Sequence, residues 1–310
     1  MDSIILNEFE RAIKKVKIRS CLIMSEDRLI FQYYKNKKVE MNPQKVNSCT
    51  KSILSILIGI ALDKGLIKSI SEPVSSYFPE LINKQTDVRK RHITIEDLLT
   101  MSAGFDWPEF GDWNYFAPMV FSSDIVNYVF ERDLQDNRGV RMNYNSGCSH
   151  VLTAILQKTT GMKAIEFANI HLFKPLGITK TNWFEDSKGI NRGADGLNMC
   201  TVDMLKIGTL MLHEGKWKNT RIVSSEWLKK STQPYYLTYE SIGYYAYHWW
   251  VRNLNINTEE NSKTEMIFAL GFGGQYICIV PKLHMVIAIT SELYEDSLKP
   301  LRMLEEFLIK

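Results

Sequence analysis

Ser48 and Lys51 stand three residues apart in Ser48-Cys49-Thr50-Lys51, at the head of an apolar stretch that reads as a helix over residues 48–64. Positions i and i+3 share a helix face, so the hydroxyl and the amine can meet. In a first turn the positive end of the helix dipole, together with burial, disfavours a charged amine and leaves it able to take the serine proton. The free N–H groups of the same turn are donors for a developing oxyanion. A serine needs such a neighbouring base, because its hydroxyl alone is a weak nucleophile. As a string, S-x-x-K is weak: about one or two chance matches are expected in a chain this long, and a helix-capping serine with a solvent-facing lysine has the same spelling. The helix itself favours chemistry. Ile53, Leu54, Ile56, Leu57, Ile58, Ile60, Ala61 and Leu62 leave almost no polar face, and a Ser/Lys pair heading a buried helix needs a reason.

Two further segments carry groups that complete such a site. Tyr144-Asn145-Ser146-Gly147 lies in a loop just before a helix expected from Ser149. A phenol acts as a base only where a cation favours its phenolate, and Lys51 would supply that cation while sharing one proton with Tyr144. A tyrosine packed in a core reads the same in isolation. Gly271-Phe272-Gly273-Gly274-Gln275 sits between two strand runs, and adjacent glycines at a strand edge let a substrate approach the backbone. The N–H of Gln275 is the candidate second oxyanion donor, with a plain glycine bulge as the alternative. The dinucleotide pattern G-x-G-x-x-G fails here, since Tyr276 stands where its last glycine would be.

Together and in this order, the three segments resemble the serine β-lactamase and penicillin-binding-protein superfamily, most closely its class C-like branch of esterases, D-amino-acid peptidases and 6-aminohexanoate-dimer hydrolases. Residues 95–105 (IEDLLTMSAGF), and 172–178 (LFKPLGI) after Thr160-Gly161, look similar too, so the likeness spans about residues 45–291. It implies acyl transfer through Ser48, with Lys51 and Tyr144 moving the proton and no cofactor or metal. The oxyanion would rest on the N–H groups of Ser48 and Gln275, with Phe272, Gly273, Gly274, Asn145 and Ser146 beside the substrate. Two departures stand out. The family's second motif usually has Asn two places after Tyr, where this chain has Ser146, with Asn145 next door. Its third motif usually opens with Lys or His, where this chain has Phe272, which offers no charge to a substrate carboxylate. The expectation is an apolar or amide-rich acyl substrate, a small molecule or short peptide-like chain, over a β-lactam. A homologue that binds without turnover is the rival reading.

Other hydrolase schemes fail on the sequence. G-x-S-x-G and H-E-x-x-H are both absent, and the six histidines are dispersed. His150 is read as a helix-face histidine with a local hydrogen bond. The loop bearing Trp107, Trp113, Tyr115 and Phe116 is a candidate cleft wall, with Trp107 and Trp113 as substrate contacts; packing onto its own domain fits it equally. Trp249 and Trp250 are expected on one strand, one ring to each face.

The elements that must position these groups form an α+β pattern. After an amphipathic N-terminal helix come strand runs at 18–24 and 29–34, joined by a Ser25–Arg28 turn. Helical patterns follow at 94–101, 123–132, 149–159, 164–172, 201–213 and 225–230. Strand signals return at 244–251, 265–270, 275–280 and 285–291, and a helix at 297–309 closes the chain. Strands at both ends with helices between predict one antiparallel sheet built from both termini, as a discontinuous unit of residues 1–45 and 235–310, with a mostly helical region at 46–234. The chain has 310 residues, 45% hydrophobic and 24% charged, with net charge +3. That is ordinary for a globular protein and gives no footprint for nucleic acid; Arg89-Lys90-Arg91-His92 reads as a solvated patch. Five scattered cysteines without a C-x-x-C pair suit a reducing compartment. With no apolar leader and no stretch long enough to span a bilayer, the expected location is the cytoplasm.

Overall fold

The computed structural model describes residues 3–83, 86–254 and 264–309. Among them, eight strands form one sheet in the spatial order Arg28–Tyr34, Ile18–Ser25, Met285–Ser291, Gln275–Val280, Thr264–Gly271, Trp250–Leu254, Tyr244–Tyr245 and Tyr236–Leu237, each pair antiparallel. The sheet draws on both ends of the chain and all but the first and last helices lie between, which is the α+β arrangement the sequence predicts.

The central strands are buried on both faces, so their sequences are continuously apolar. Their residues alternate between two cores. Ile277, Ile279, Val286 and Ala288 join the cluster under the serine helix Cys49–Asp63 and the helix Thr201–Leu212. Tyr276, Cys278, Ile287 and Ile289 join the other, covered by Phe9 and Ile13 of the first helix and Leu301, Leu304 and Phe307 of the last. Gly208 lets the helix Thr201–Leu212 lie directly on the sheet, because a Cβ there would stand 2.4 Å from Val286 Cγ1. The serine helix is buried from Cys49 to Ala61, with Gly59 under the Trp227 indole, whose Nε1 donates to the Ser55 carbonyl at 3.0 Å.

Several boundaries move for local reasons. The helix expected from Ser149 begins at Ser146, because Asn145 caps it by accepting from Cys148 N at 3.2 Å. Thr94 and Asp97 form the expected capping box on Ile95–Leu99. The single strand expected over 244–251 is broken into Tyr244–Tyr245 and Trp250–Leu254, with His248 between them in the left-handed region at φ 59°. Trp249 lies outside the strand, which begins at Trp250, yet the two rings enter opposite cores as expected. The basic run at 89–92 is not wholly solvated: Lys90 is buried and donates to the Phe130 carbonyl at 2.7 Å. No helix among the described residues is long and apolar enough to cross a membrane.

Candidate active site

The serine helix is entered through a tight backbone corner. Asn47 adopts φ 47°, a conformation that asparagine tolerates better than most residues, and Ser48 follows at φ −67°. The Thr50 hydroxyl donates to the Asn47 carbonyl at 2.7 Å, and Asn47 Nδ2 reaches the Phe272 carbonyl at 2.6 Å. Gly271 meets the same corner, since a Cβ there would lie 2.3 Å from the Val46 carbonyl oxygen. The end of the strand Thr264–Gly271 is thereby pressed against the residues that lead into Ser48.

Lys51 Nζ donates to Ser48 Oγ at 3.0 Å and to the Ala194 carbonyl at 2.9 Å, with Lys51 only 1% exposed. The amine is thus turned inward onto the serine. Ala194 comes from a loop that sequence reasoning did not single out. Gly193 allows that loop to lie on the helix Ser146–Thr160, where a Cβ would stand 2.1 Å from Thr153 Oγ1 and 2.2 Å from the Ser149 carbonyl oxygen. Two glycines close together, Gly193 and Gly196, with Arg192 and Asp195 beside them, were the available sequence signals; in the structure that arginine and aspartate form an ion pair, 2.6 Å at its shortest.

Tyr144 arrives from the far side of the sequence, and Lys51 Nζ lies 5.0 Å from its ring centroid. The ring stacks with Phe110, at 5.6 Å and 24°, and with Trp250, at 6.0 Å and 16°, with Tyr245 edge-on at 6.1 Å. Behind it Tyr245 and His248 are buried, the hydroxyl 3.3 Å from His248 Nδ1. Burial, reinforced by the charge of Lys51, pushes the His248 imidazole down to about 3, so it is neutral at ordinary pH.

Ser48, Tyr144, Ser146 and Phe272 line one cavity of about 360 Å³. The other residues expected there divide. The Gln275 side chain laces the hairpin: its Nε2 donates to the Ser291 carbonyl at 2.8 Å and its Oε1 accepts from Ser291 N at 3.2 Å. It lines a second, polar cavity of about 490 Å³ with Arg19 and Lys45. Gly273 and Gly274, at φ 82° and 84°, make the turn, and Cβ atoms there would strike the Tyr294 ring and Ser291 Oγ. Asn145 is spent as a buried helix cap. Trp107 is buried, its Nε1 donating to Glu109 at 2.6 Å, whereas Trp113 is 78% exposed and lies outside the cavity wall. Phe116 does line it. His150 is buried against Asp186 at 3.0 Å, a partner 36 residues away in place of a local one.

Glu109 lines the cavity and was missed from sequence. It accepts from Ser146 Oγ at 2.5 Å and from Ser146 N at 3.1 Å as well as from Trp107. A carboxylate inside the aromatic run Trp107-Pro108-Glu109-Phe110 was the one clue. Phe272 also has an unexpected aspect. Among the described residues, its N–H and that of Ser48 donate to no protein acceptor.

A serine bonded to a buried lysine, under a stacked tyrosine, in a helical layer against an antiparallel sheet, is the arrangement of the penicillin-recognising serine hydrolases. The beta-lactamase family model matches residues 40–302, and the chain belongs to that family. It is 22% identical over 306 residues to the 6-aminohexanoate-dimer hydrolase of Paenarthrobacter ureafaciens, covering 91% of this chain and 74% of that one. A shorter match, 27% over 169 residues, joins 47% of this chain to 42% of the lovastatin esterase of Penicillium rubens. Among solved structures, a putative 6-aminohexanoate-dimer hydrolase from Bacillus anthracis superposes with TM-score 0.80 at 21% identity, over 97% of this chain and 80% of that one. EstCE1, described as a hydrolase with promiscuous acyltransferase activity, does so with TM-score 0.80 at 14% identity, over 99% and 98%.

Proposed function

We propose that this protein is a serine hydrolase that cleaves an ester or amide through an acyl-enzyme on Ser48. The observation that carries this is the inward-facing Lys51, 3.0 Å from Ser48 Oγ and tucked beneath the Tyr144 ring. In the first step Ser48 Oγ attacks the substrate carbonyl and its proton passes to the Lys51/Tyr144 pair. The tetrahedral oxyanion is held by the N–H groups of Ser48 and Phe272. Both are without protein acceptors, and Phe272, unlike Gln275, shares the cavity with Ser48. The proton then returns through Tyr144 to the leaving group, the C–O or C–N bond breaks, and water releases the acyl group by the reverse sequence.

The cavity walls favour an apolar acyl part, with Phe110, Phe116, Ile242, Trp250 and Leu270 around the serine. The relatives named as a 6-aminohexanoate-dimer hydrolase and a lovastatin esterase agree with an amide or ester substrate. The test is hydrolysis of a p-nitrophenyl ester, a D-amino-acid amide and nitrocefin by the wild type and by Ser48→Ala. Ester or amide turnover lost in Ser48→Ala supports the reading; turnover that survives the substitution overturns it.

A further inference from the structure

The cavity beside Ser48 has an unbalanced charge inventory. Its walls are largely aromatic, and Glu109 and Asp195 are its only ionisable carboxylates; no lysine or arginine lines it among the described residues. Asp195 is already neutralised by Arg192, Nε to Oδ1 at 3.0 Å and Nη2 to Oδ2 at 2.6 Å. Glu109 has no cationic partner among the described residues, and its three donors are all neutral. The Lys51 amine, beneath the serine, is turned to Ser48 Oγ and the Ala194 carbonyl and away from Glu109 as a partner.

Those donors also fix where the Glu109 carboxylate can point. Oε2 takes the Trp107 indole N–H and the Ser146 N–H, and Oε1 takes the Ser146 hydroxyl. A carboxylate has about four acceptor positions, so one remains for a ligand. Ser146 opens the helix Ser146–Thr160, so the Glu109 carboxylate sits against a helix N-terminus, the end that favours a negative charge. Ser146 also stands two places after Tyr144, and its hydroxyl is committed to Glu109, so what this part of the wall presents is an acceptor-only carboxylate. Aromatic faces nearby, Phe110 and Trp250 among them, are attractive to a cation for the same electrostatic reason.

We propose that Glu109 is the specificity-determining residue of this cavity, selecting esters or amides that carry an ammonium or similar cationic group. The inference rests on the serine-hydrolase reading and narrows its substrate class. Glu109 binds the cationic end while the aromatic walls surround it, and a substrate carboxylate in the same place is repelled.

The experiment compares three p-nitrophenyl esters matched in acyl length: one tipped by trimethylammonium, its neutral tert-butyl isostere, and one tipped by carboxylate. The wild type is expected to favour the cationic ester over the neutral one by about tenfold in kcat/KM, and the neutral over the anionic by a similar factor. In Glu109→Gln the cationic-to-neutral ratio falls towards one. Raising NaCl from about 50 mM to about 0.5 M shrinks the ratio in the wild type, a measurement that does not depend on the variant folding. A wild-type ratio at or below one, a ratio unmoved by Glu109→Gln, or one indifferent to salt overturns the proposal while leaving the serine hydrolase intact. If no ester is cleaved and Ser48 is never acylated, both readings fall together.

Discussion

Asn47 donates its side-chain amide to the Phe272 carbonyl at 2.6 Å, across 225 residues of sequence. The bond ties the corner before the nucleophile to the hairpin tip, so the two free N–H groups, of Ser48 and Phe272, are set relative to one another. Asn47→Gly keeps the φ 47° corner and removes only the tether. We expect kcat/KM for an ester to fall by about ten- to a hundredfold, short of deleting an oxyanion donor outright, with the melting temperature changed by only a few degrees. Steady-state kinetics beside a thermal melt checks this; unchanged kinetics would show the tether to be irrelevant.

Tyr144→Phe removes the phenol hydroxyl and keeps the ring that stacks with Phe110 and Trp250. Folding should survive, and kcat/KM should drop by about a hundred- to ten-thousandfold, the range for losing a proton-transfer group. Lys51→Met, which keeps the buried stem without the amine, should do at least as much harm. A Phe variant retaining most activity would remove Tyr144 from the proton path.

Gly193→Ala places a methyl against the Ser149 carbonyl oxygen, a backbone atom that cannot step aside. The expected cost is about 1–3 kcal/mol of stability, together with lost turnover, because the adjacent Ala194 carbonyl that holds Lys51 shifts. Gly208→Ala, crowded against Val286 Cγ1 and outside the cavity wall, is the control. It should lose stability while the folded fraction keeps its turnover. Denaturant melts paired with active-site titration separate the two outcomes.

His248 makes the fold sensitive to acid. An unfolded imidazole titrates near 6.5, whereas in the fold burial holds His248 to about 3. Between those values the unfolded chain binds the extra proton. The stabilising contribution is therefore complete above about pH 6.5 and is lost as pH falls towards 3, with a slope approaching about 1.4 kcal/mol per pH unit. His248→Asn, which accepts φ 59°, should flatten that slope in urea melts run from about pH 4 to about pH 7. Parallel slopes in the two proteins would contradict the assignment.

What could be read from the sequence was local. Ser48 and Lys51 are one helical turn apart, so spacing alone brought them together, and the strand runs near both ends of the chain announced one antiparallel sheet. The remaining parts of the site depend on contacts that no window of sequence contains. Ala194 reaches Lys51 across 143 residues, and Glu109 reaches Ser146 across 37. Asn145 looked like a displaced motif residue but is a helix cap, because an unsatisfied N–H at Cys148 claims its side chain first. The side chain of Gln275 closes the turn onto Ser291, a contact 16 residues away that its place after two glycines did not announce. Trp113 kept its aromatic character without a cavity to line.

Covalent capture of the nucleophile is the most direct measurement. Incubation of the full chain with a fluorophosphonate, followed by intact mass and peptide mapping, should show one adduct, on Ser48, formed with the wild type and absent from Ser48→Ala. A folded wild type that takes up no label, or an alanine variant labelled as fast as the wild type, would contradict the assignment of Ser48 as nucleophile.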